Sequence, residues 1–119
     1  MFARASINFV GKFAAPAGFP VIVPQFRFLQ GTNEQPVDLT GMLVKFRLIS
    51  AQGDEVLLLT PQSGLTVAAS EGRVYGTSEG IAHTPIAAGT YQYELTIYAG
   101  DGEPLRQVYG AYEFVTVRP

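Results

Sequence analysis

The chain has no cysteine, no tryptophan and one histidine, and only 15% of its 119 residues are charged, against roughly 25% in an average globular chain. Without cysteine there can be no disulfide, no thiolate metal site and no cysteine nucleophile. Small secreted domains usually offset a thin core with disulfides, so this composition fits an intracellular assembly or an oligomer better. No apolar run approaches the roughly 18 residues that span a membrane as a helix. Asn8, Gly11, Lys12 and Pro16 interrupt the N-terminal segment, which does not read as a secretory signal. The net charge of −2 gives no basic footprint, so neither nucleic acid nor membrane is an expected partner. Helical periodicity is almost absent, and there is neither a Gly-x-Ser-x-Gly elbow nor a phosphate-binding glycine loop.

What is present is apolar. Hydrophobic residues make up 47% of the chain, and the length suits one domain with one core. A small domain with so few charges has apolar surface to spare, which points to burial against copies of itself or a partner. Charge is also unevenly placed. The first 33 residues carry Arg4, Lys12 and Arg27 with no acid, and all ten acids lie from Glu34 onward.

Period-two alternation marks the strands. Met42, Val44, Phe46 and Leu48 alternate with Leu43, Lys45, Arg47 and Ile49, and Tyr91, Tyr93, Leu95 and Ile97 alternate with Thr90, Gln92, Glu94 and Thr96. Successive strand side chains face opposite ways, so each strand offers one face to a core and leaves one mixed or wet. Three hairpins follow from turn chemistry, at Ala51-Gln52-Gly53, Ser70-Glu71-Gly72 and Gly100-Asp101-Gly102. The last strand changes phase between Val108, Tyr112, Phe114 and the pair Val115, Val117, which predicts a β-bulge near Gly110 to Phe114. Residues 19–30 form a further strand with Ile22, Phe26 and Phe28 on one face, and Pro20 and Pro24 put it at an edge or bend. Residues 78–88 read as a crossover with room for one helical turn. Seven or eight short strands with such turns describe an all-β, antiparallel, two-sheet immunoglobulin-like sandwich over residues 20–119, with residues 1–19 as an extended N-terminal arm or edge strand. A small closed barrel is the structural alternative.

Gly89 and Tyr91 resemble the tyrosine corner of immunoglobulin-like domains, in which a tyrosine opening the penultimate strand bonds back to the backbone. Tyr93 then falls where antibody domains keep a cysteine.

Candidate chemistry is thin. His83 sits in a Thr/Pro-flanked connection with no acid nearer in sequence than Glu79, and reads as an incidental loop histidine. Asp54-Glu55 and Asp101-Gly102-Glu103 could pair as glycosidase carboxylates, but they stand at hairpin tips, where acids serve turns and solubility. Glu94 and Glu113 fall within strands, with Arg47 or Arg106 as cross-strand partners. The expectation is a protein that is not an enzyme and needs no cofactor or metal. The interface candidates are Phe2, Ile7, Phe9 and Phe13 on the acid-free arm, which can add a strand to a neighbour's sheet edge, and Tyr98 and Tyr109 as an exposed cross-strand pair.

The order Pro36-Val37-Asp38-Leu39-Thr40-Gly41, alternating strand, Gly72-Arg73 hairpin, Ala88-Gly89-Thr90-Tyr91-Gln92-Tyr93-Glu94-Leu95 and Val108-Tyr109-Gly110-Ala111-Tyr112-Glu113-Phe114-Val115 resembles the small immunoglobulin-like virion proteins of tailed bacteriophages. It is similar to the N-terminal domain of their upper-baseplate proteins over roughly residues 20 to 117. Residues 1–19 depart from that pattern. The resemblance implies a non-enzymatic structural protein of a tail, baseplate or fibre attachment, located in the virion and assembled in the host cytoplasm. Its partners would be other virion proteins and copies of itself. A head decoration or head–tail joining protein is an alternative. From another class, a carbohydrate- or receptor-binding sandwich module is a second alternative, and the lack of tryptophan counts against it.

Overall fold

A computed structural model describes the backbone of residues 7–116 and the side chains of residues 13–116. Ten strands form, in chain order β1 (Ile7–Pro16), β2 (Ile22–Arg27), β3 (Leu29–Gln30), β4 (Gln35–Pro36), β5 (Leu43–Ile49), β6 (Glu55–Leu59), β7 (Leu65–Ala68), β8 (Arg73–Thr77), β9 (Gly89–Tyr98) and β10 (Pro104–Val115). They build a five-stranded sheet in the order β1-β10-β9-β5-β6 and a three-stranded sheet in the order β2-β8-β7, with β3 and β4 as a small separate pair. The two main sheets pack face to face as an all-β, immunoglobulin-like sandwich.

The period-two segments fold as their alternation dictates. Val44, Phe46 and Leu48 on β5 and Tyr93, Leu95 and Ile97 on β9 are buried, and β9 pairs on one side with β5 and on the other with β10. The three hairpin turns fall between β5 and β6, β7 and β8, and β9 and β10, the middle one tightened by a 3-10 turn at Ala69–Glu71. The 78–88 crossover carries turns and no helix.

Three details differ from the sequence reading. β10 itself has no bulge at residues 110–114, although its ladder with β1 shifts between Phe9 and Gly11, opposite Tyr109 and Gly110. The β9–β10 register is continuous from Arg106 to Phe114, and Val108, Gly110, Tyr112 and Phe114 all point inward, with Val115 simply exposed. The register shift is instead between Pro104 and Arg106, where proline cannot donate a ladder hydrogen bond. On β2, a shift between Val23 and Phe26 spans Pro24, so the burial phase resets there. Val21, Val23, Phe26 and Phe28 are buried and Ile22 faces solvent.

The third concerns the N-terminal segment: of the two alternatives, arm or edge strand, its described part is an edge strand, and it pairs within its own chain rather than on a neighbour. From Ile7 on it is a strand of the chain's own sheet, running parallel to β10 with Ala14 opposite Glu113 and Pro16 opposite Val115. The chain then crosses to the other sheet, because Ala17 donates to the Val115 carbonyl at 2.8 Å and Val21 donates to the Ser78 hydroxyl at 2.7 Å. Ser78 returns its own N–H to the Val21 carbonyl, and its buried hydroxyl is satisfied by accepting from Val21.

Aromatic side chains join the layers. Fully buried Tyr93 stacks on Phe46 at 6.2 Å and meets Phe26 of the other sheet at 6.0 Å and Phe13 of β1 at 5.2 Å. Tyr112 stacks on Phe114 at 4.8 Å and donates its hydroxyl to the Ile22 carbonyl at 2.6 Å, fastening β10 to β2 across the core. Backbones also approach closely: a Cβ on Gly76 would run into the Gly64 carbonyl oxygen and lie 3.0 Å from the Leu65 Cα.

Two stability predictions follow from these contacts. Gly76→Ala should destabilise the fold by about 2 kcal/mol or more, because the obstructing atoms are backbone, and urea denaturation reads the loss directly. Tyr112→Phe should cost about 1 kcal/mol at neutral pH for its lost hydrogen bond. Burial pushes the Tyr112 phenol above its ordinary value of 10.0, so the neutral form is favoured in the fold. That contribution is intact below the unfolded value and is lost as pH rises from it through the raised folded one. Melting curves should therefore fall less steeply above pH 10 in Tyr112→Phe than in the wild type; parallel curves would show that another group sets the alkaline limb.

Candidate functional site

The inner faces of the sheets are committed to the core, so surface function falls to their outer faces and loops. On the outer face of the five-stranded sheet the register aligns side chains into rungs. Leu58 of β6, Arg47 of β5, Glu94 of β9 and Tyr109 of β10 form one rung. Lys45, Thr96 and Gln107 form the rung on one side of it, and Ile49, Gln92 and Ala111 the rung on the other.

The central rung is built around an ion pair. Arg47 donates to Glu94 Oε1 at 2.6 Å and lies 3.6 Å from Glu55 Oε1, and Gln92 donates to Glu94 Oε2 at 2.8 Å. The Arg47 guanidinium is held above its ordinary pKa, first by the hydrogen bond to Glu94 and then by the charges of Glu94 and Glu55, against some desolvation. Both Glu94 oxygens are thus engaged by neighbours on the same face. The Lys45 ammonium stands 5.4 Å from the centroid of the Tyr98 ring, a cation–π distance. Gln107 donates to the buried Thr96 hydroxyl at 3.0 Å.

Between these polar contacts the face is apolar. Leu43 is 49% exposed and Leu58 40%, and Ile49, Tyr98, Tyr109 and Ala111 are half-buried. An open trough of about 410 Å³ runs beside the central rung, lined by Ile49, Gln92, Tyr109 and Ala111 and ending at Ser50, Ala51, Thr90 and Tyr91. Tyr91 closes the corner below it by donating its hydroxyl to the Ala87 carbonyl at 2.9 Å, and Gly89, at φ 147°, opens the strand.

The other chemical groups stay apart. Asp101 accepts from the Glu103 N–H at 3.0 Å and the Asp54 N–H donates to the Ser50 hydroxyl at 3.1 Å, so both hairpin-tip acids lie in turns. Asp38 accepts from both the N–H and the hydroxyl of Thr40 (3.0 and 2.6 Å), which lowers its pKa, the hydroxyl contributing most. His83 Nδ1 lies 2.8 Å from the Thr84 carbonyl, so that nitrogen carries the proton. It lines a separate depression of about 200 Å³ with Phe19, Ser78 and Glu79. Among the described residues no three His, Cys, Asp or Glu side chains come together in a group that could hold a metal ion.

The interface candidates are dispersed. Phe2 lies outside the described residues. Ile7 and Phe9 occupy β1 at the register positions of Gln107 and Tyr109, and their side chains are outside the description. Phe13 is packed in the chain's own core, edge-on to Phe26 at 6.0 Å and tilted against Tyr93 and Tyr112. Tyr98 and Tyr109 share the outer face but do not pair: Tyr98 is opposite Pro104 and Tyr109 opposite Glu94. The hairpin register separates them by four positions along β9, and the shift at Pro104 moves it by one residue only. Leu43, Ile49 and Leu58 were not singled out from sequence, although the signal was there: Leu43 and Ile49 are apolar residues on the phase of β5 that also carries Lys45 and Arg47.

No family model matches the chain, and no curated protein matches it. Among solved structures the chain is similar to CopC from Methylosinus trichosporium OB3b, with 15% identity, a TM-score of 0.48, and coverage of 91% of this chain and 87% of that one. The expected structural role in a tailed-phage particle is corrected here. A solved structure similar to this chain is CopC, and nothing in that likeness points to a virion role.

The ion pair can be weighed by a double-mutant cycle with Arg47→Met and Glu94→Gln. Arg47 keeps 40% of its side chain exposed and Glu94 15%, so the coupling should be about 1 kcal/mol and should shrink in roughly 1 M salt. A coupling of zero at low salt in urea denaturation would show that the rung is held by packing rather than charge.

Proposed function

We infer that this chain is a non-catalytic module that associates with a second copy of itself through the outer face of its five-stranded sheet. The observation that carries this reading is the composition of that face: exposed Leu43 and Leu58, with half-buried Ile49, Tyr98 and Tyr109, surround an Arg47–Glu94 pair already satisfied within the chain. Aromatic residues, apolar side chains and arginine are what interface cores are enriched in. The cations Lys45 and Arg47 are matched on the same face by Glu55, Glu94 and Glu113. With two cations against three acids the face is close to neutral, so it can meet its own image with little like-charge repulsion, and two such faces related by a two-fold axis make a closed, isologous interface.

A non-catalytic reading is supported by how the titratable groups are occupied. Both Glu94 oxygens accept hydrogen bonds from side chains, the tip acids Asp54 and Asp101 lie in turns, and His83 is bonded to its neighbour's carbonyl. Among the described residues no acid and base are poised together over the trough.

Sedimentation velocity over a concentration series tests the reading. The wild type should shift from monomer to dimer as concentration rises, and Leu43→Glu with Leu58→Glu should stay monomeric while keeping the wild-type far-ultraviolet spectrum. Placing two carboxylates at the centre of the face should weaken association at least tenfold. A wild type that stays monomeric throughout would overturn self-association. A dimer untouched by the two substitutions would move the interface elsewhere on the chain.

A further inference from the structure

We propose that β1 is an exchangeable strand, and that two copies of this chain can swap it, each laying its residues 7–17 against the partner's β10. This surface is distinct from the outer sheet face, and the occupant of the groove is known because the chain's own β1 already fits it.

The attachment of β1 is one-sided. It is an edge strand whose only ladder is with β10, and that ladder is parallel, slightly weaker per residue than an antiparallel one. One large side chain anchors it among the described positions: Phe13 enters the core between Phe26, Tyr93 and Tyr112, flanked by the small Ala15 and Ala17. The receiving groove, made by β10 and these rings, is complete in each copy without β1.

The hinge is short and makes a turn. Upstream, Ala17 donates to Val115 and belongs to the strand; downstream, Val21 and Ser78 are joined by two hydrogen bonds and belong to the body. Only Gly18, Phe19 and Pro20 lie between. Proline disfavours a helical conformation at the residue before it, which keeps Phe19 extended, and the reversal rests on Gly18 at φ 83° and its N–H to the Ile86 carbonyl at 3.1 Å. Short hinges that must turn sharply favour exchange, because straightening them removes the turn and keeps every other contact.

Two further features point the same way. Phe19 is 55% exposed, Ile22 56% and Val115 46%, and all three flank this hinge. In an exchanged pair the two hinges run past each other, so these side chains gain cover that the closed monomer does not give them. Charge assists as well. Residues 1–16 carry Arg4 and Lys12 with no acid, which leaves six bases against ten acids on the rest of the chain, so a basic strand approaches an acidic body.

The absence of cysteine makes the test clean. Ala14 and Glu113 are Cα partners in adjacent strands, a spacing a disulfide can bridge. The full chain carrying Ala14→Cys and Glu113→Cys is oxidised at high concentration and run on a non-reducing denaturing gel. Exchange predicts a covalent dimer as the main band. A main band of crosslinked monomer, or no disulfide at all, overturns the proposal. A second variant, the wild type with Gly-Ser-Gly-Ser inserted after Gly18, should return the exchanged dimer to monomer in sedimentation velocity, since a longer hinge closes without strain. A dimer that survives the insertion and crosslinks only within each chain would overturn exchange while leaving association through the outer sheet face standing. A monomer that is indifferent to both changes would remove both.

Discussion

The constraint on which this structure depends is that two sheets must be held together without a covalent bridge. Tyr93 sits where antibody domains place an inter-sheet cysteine, and its ring reaches Phe46 on its own sheet, Phe26 on the other and Phe13 on the first strand. A buried aromatic contributes through area and shape, and truncating one typically costs 3–5 kcal/mol, comparable to removing a disulfide from a small domain. The difference is in what is tied. A disulfide restrains the unfolded chain, whereas ring packing acts only once its neighbours are in place. Closeness of the layers is therefore essential, and the Tyr112–Ile22 hydrogen bond belongs to that requirement, whereas the backbone contact at Gly76 fixes how closely β8 lies against its neighbour β7 within one sheet.

A core built this way takes up the inner-facing residues and leaves the outer ones to be judged separately. On β5 the inner positions Val44, Phe46 and Leu48 are matched by outer positions that are not uniformly polar: Leu43 and Ile49 bracket Lys45 and Arg47. Those charges are locally partnered, Lys45 over the Tyr98 ring and Arg47 to Glu94. An exposed ion pair of this kind contributes little to stability. What it does is keep a largely apolar surface wetted and close to neutral at once, as the proposed reversible association requires.

How much of this was legible follows from which physics is local. Strand phase on β5 and β9, the three hairpin turns and the corner tyrosine were readable because period-two burial and turn residues are short-range properties. The phase of β2 was misread because it crosses a proline: Pro24 lies within a register shift, which turns Ile22 outward. On β10 the inward phase was read correctly, and a bulge was expected after it only because Val115 is apolar yet exposed. The destination of the first strand was undetermined because residues 7–16 carry no signal for parallel pairing with a segment about a hundred positions later. The outer-face site was partly visible as apolar residues on the wet phase, but its unity required the register of β6, β5, β9 and β10 together.

The N-terminal strand and the outer sheet face differ in what would govern their use. Association through the face adds contacts to an intact monomer, so its equilibrium follows the apolar area covered less the cost of ordering two bodies. Strand exchange adds almost none. The β1–β10 ladder and the Phe13 anchor are the same whether donor and acceptor belong to one chain or two. The balance is then left to three small terms: the turn released at Gly18, the cover gained by Phe19, Ile22 and Val115, and the entropy of pairing. Each term is of the order of a few kcal/mol at most, so the residues of one three-residue hinge can decide between closed and exchanged forms, and protein concentration can move the balance without any change in the core.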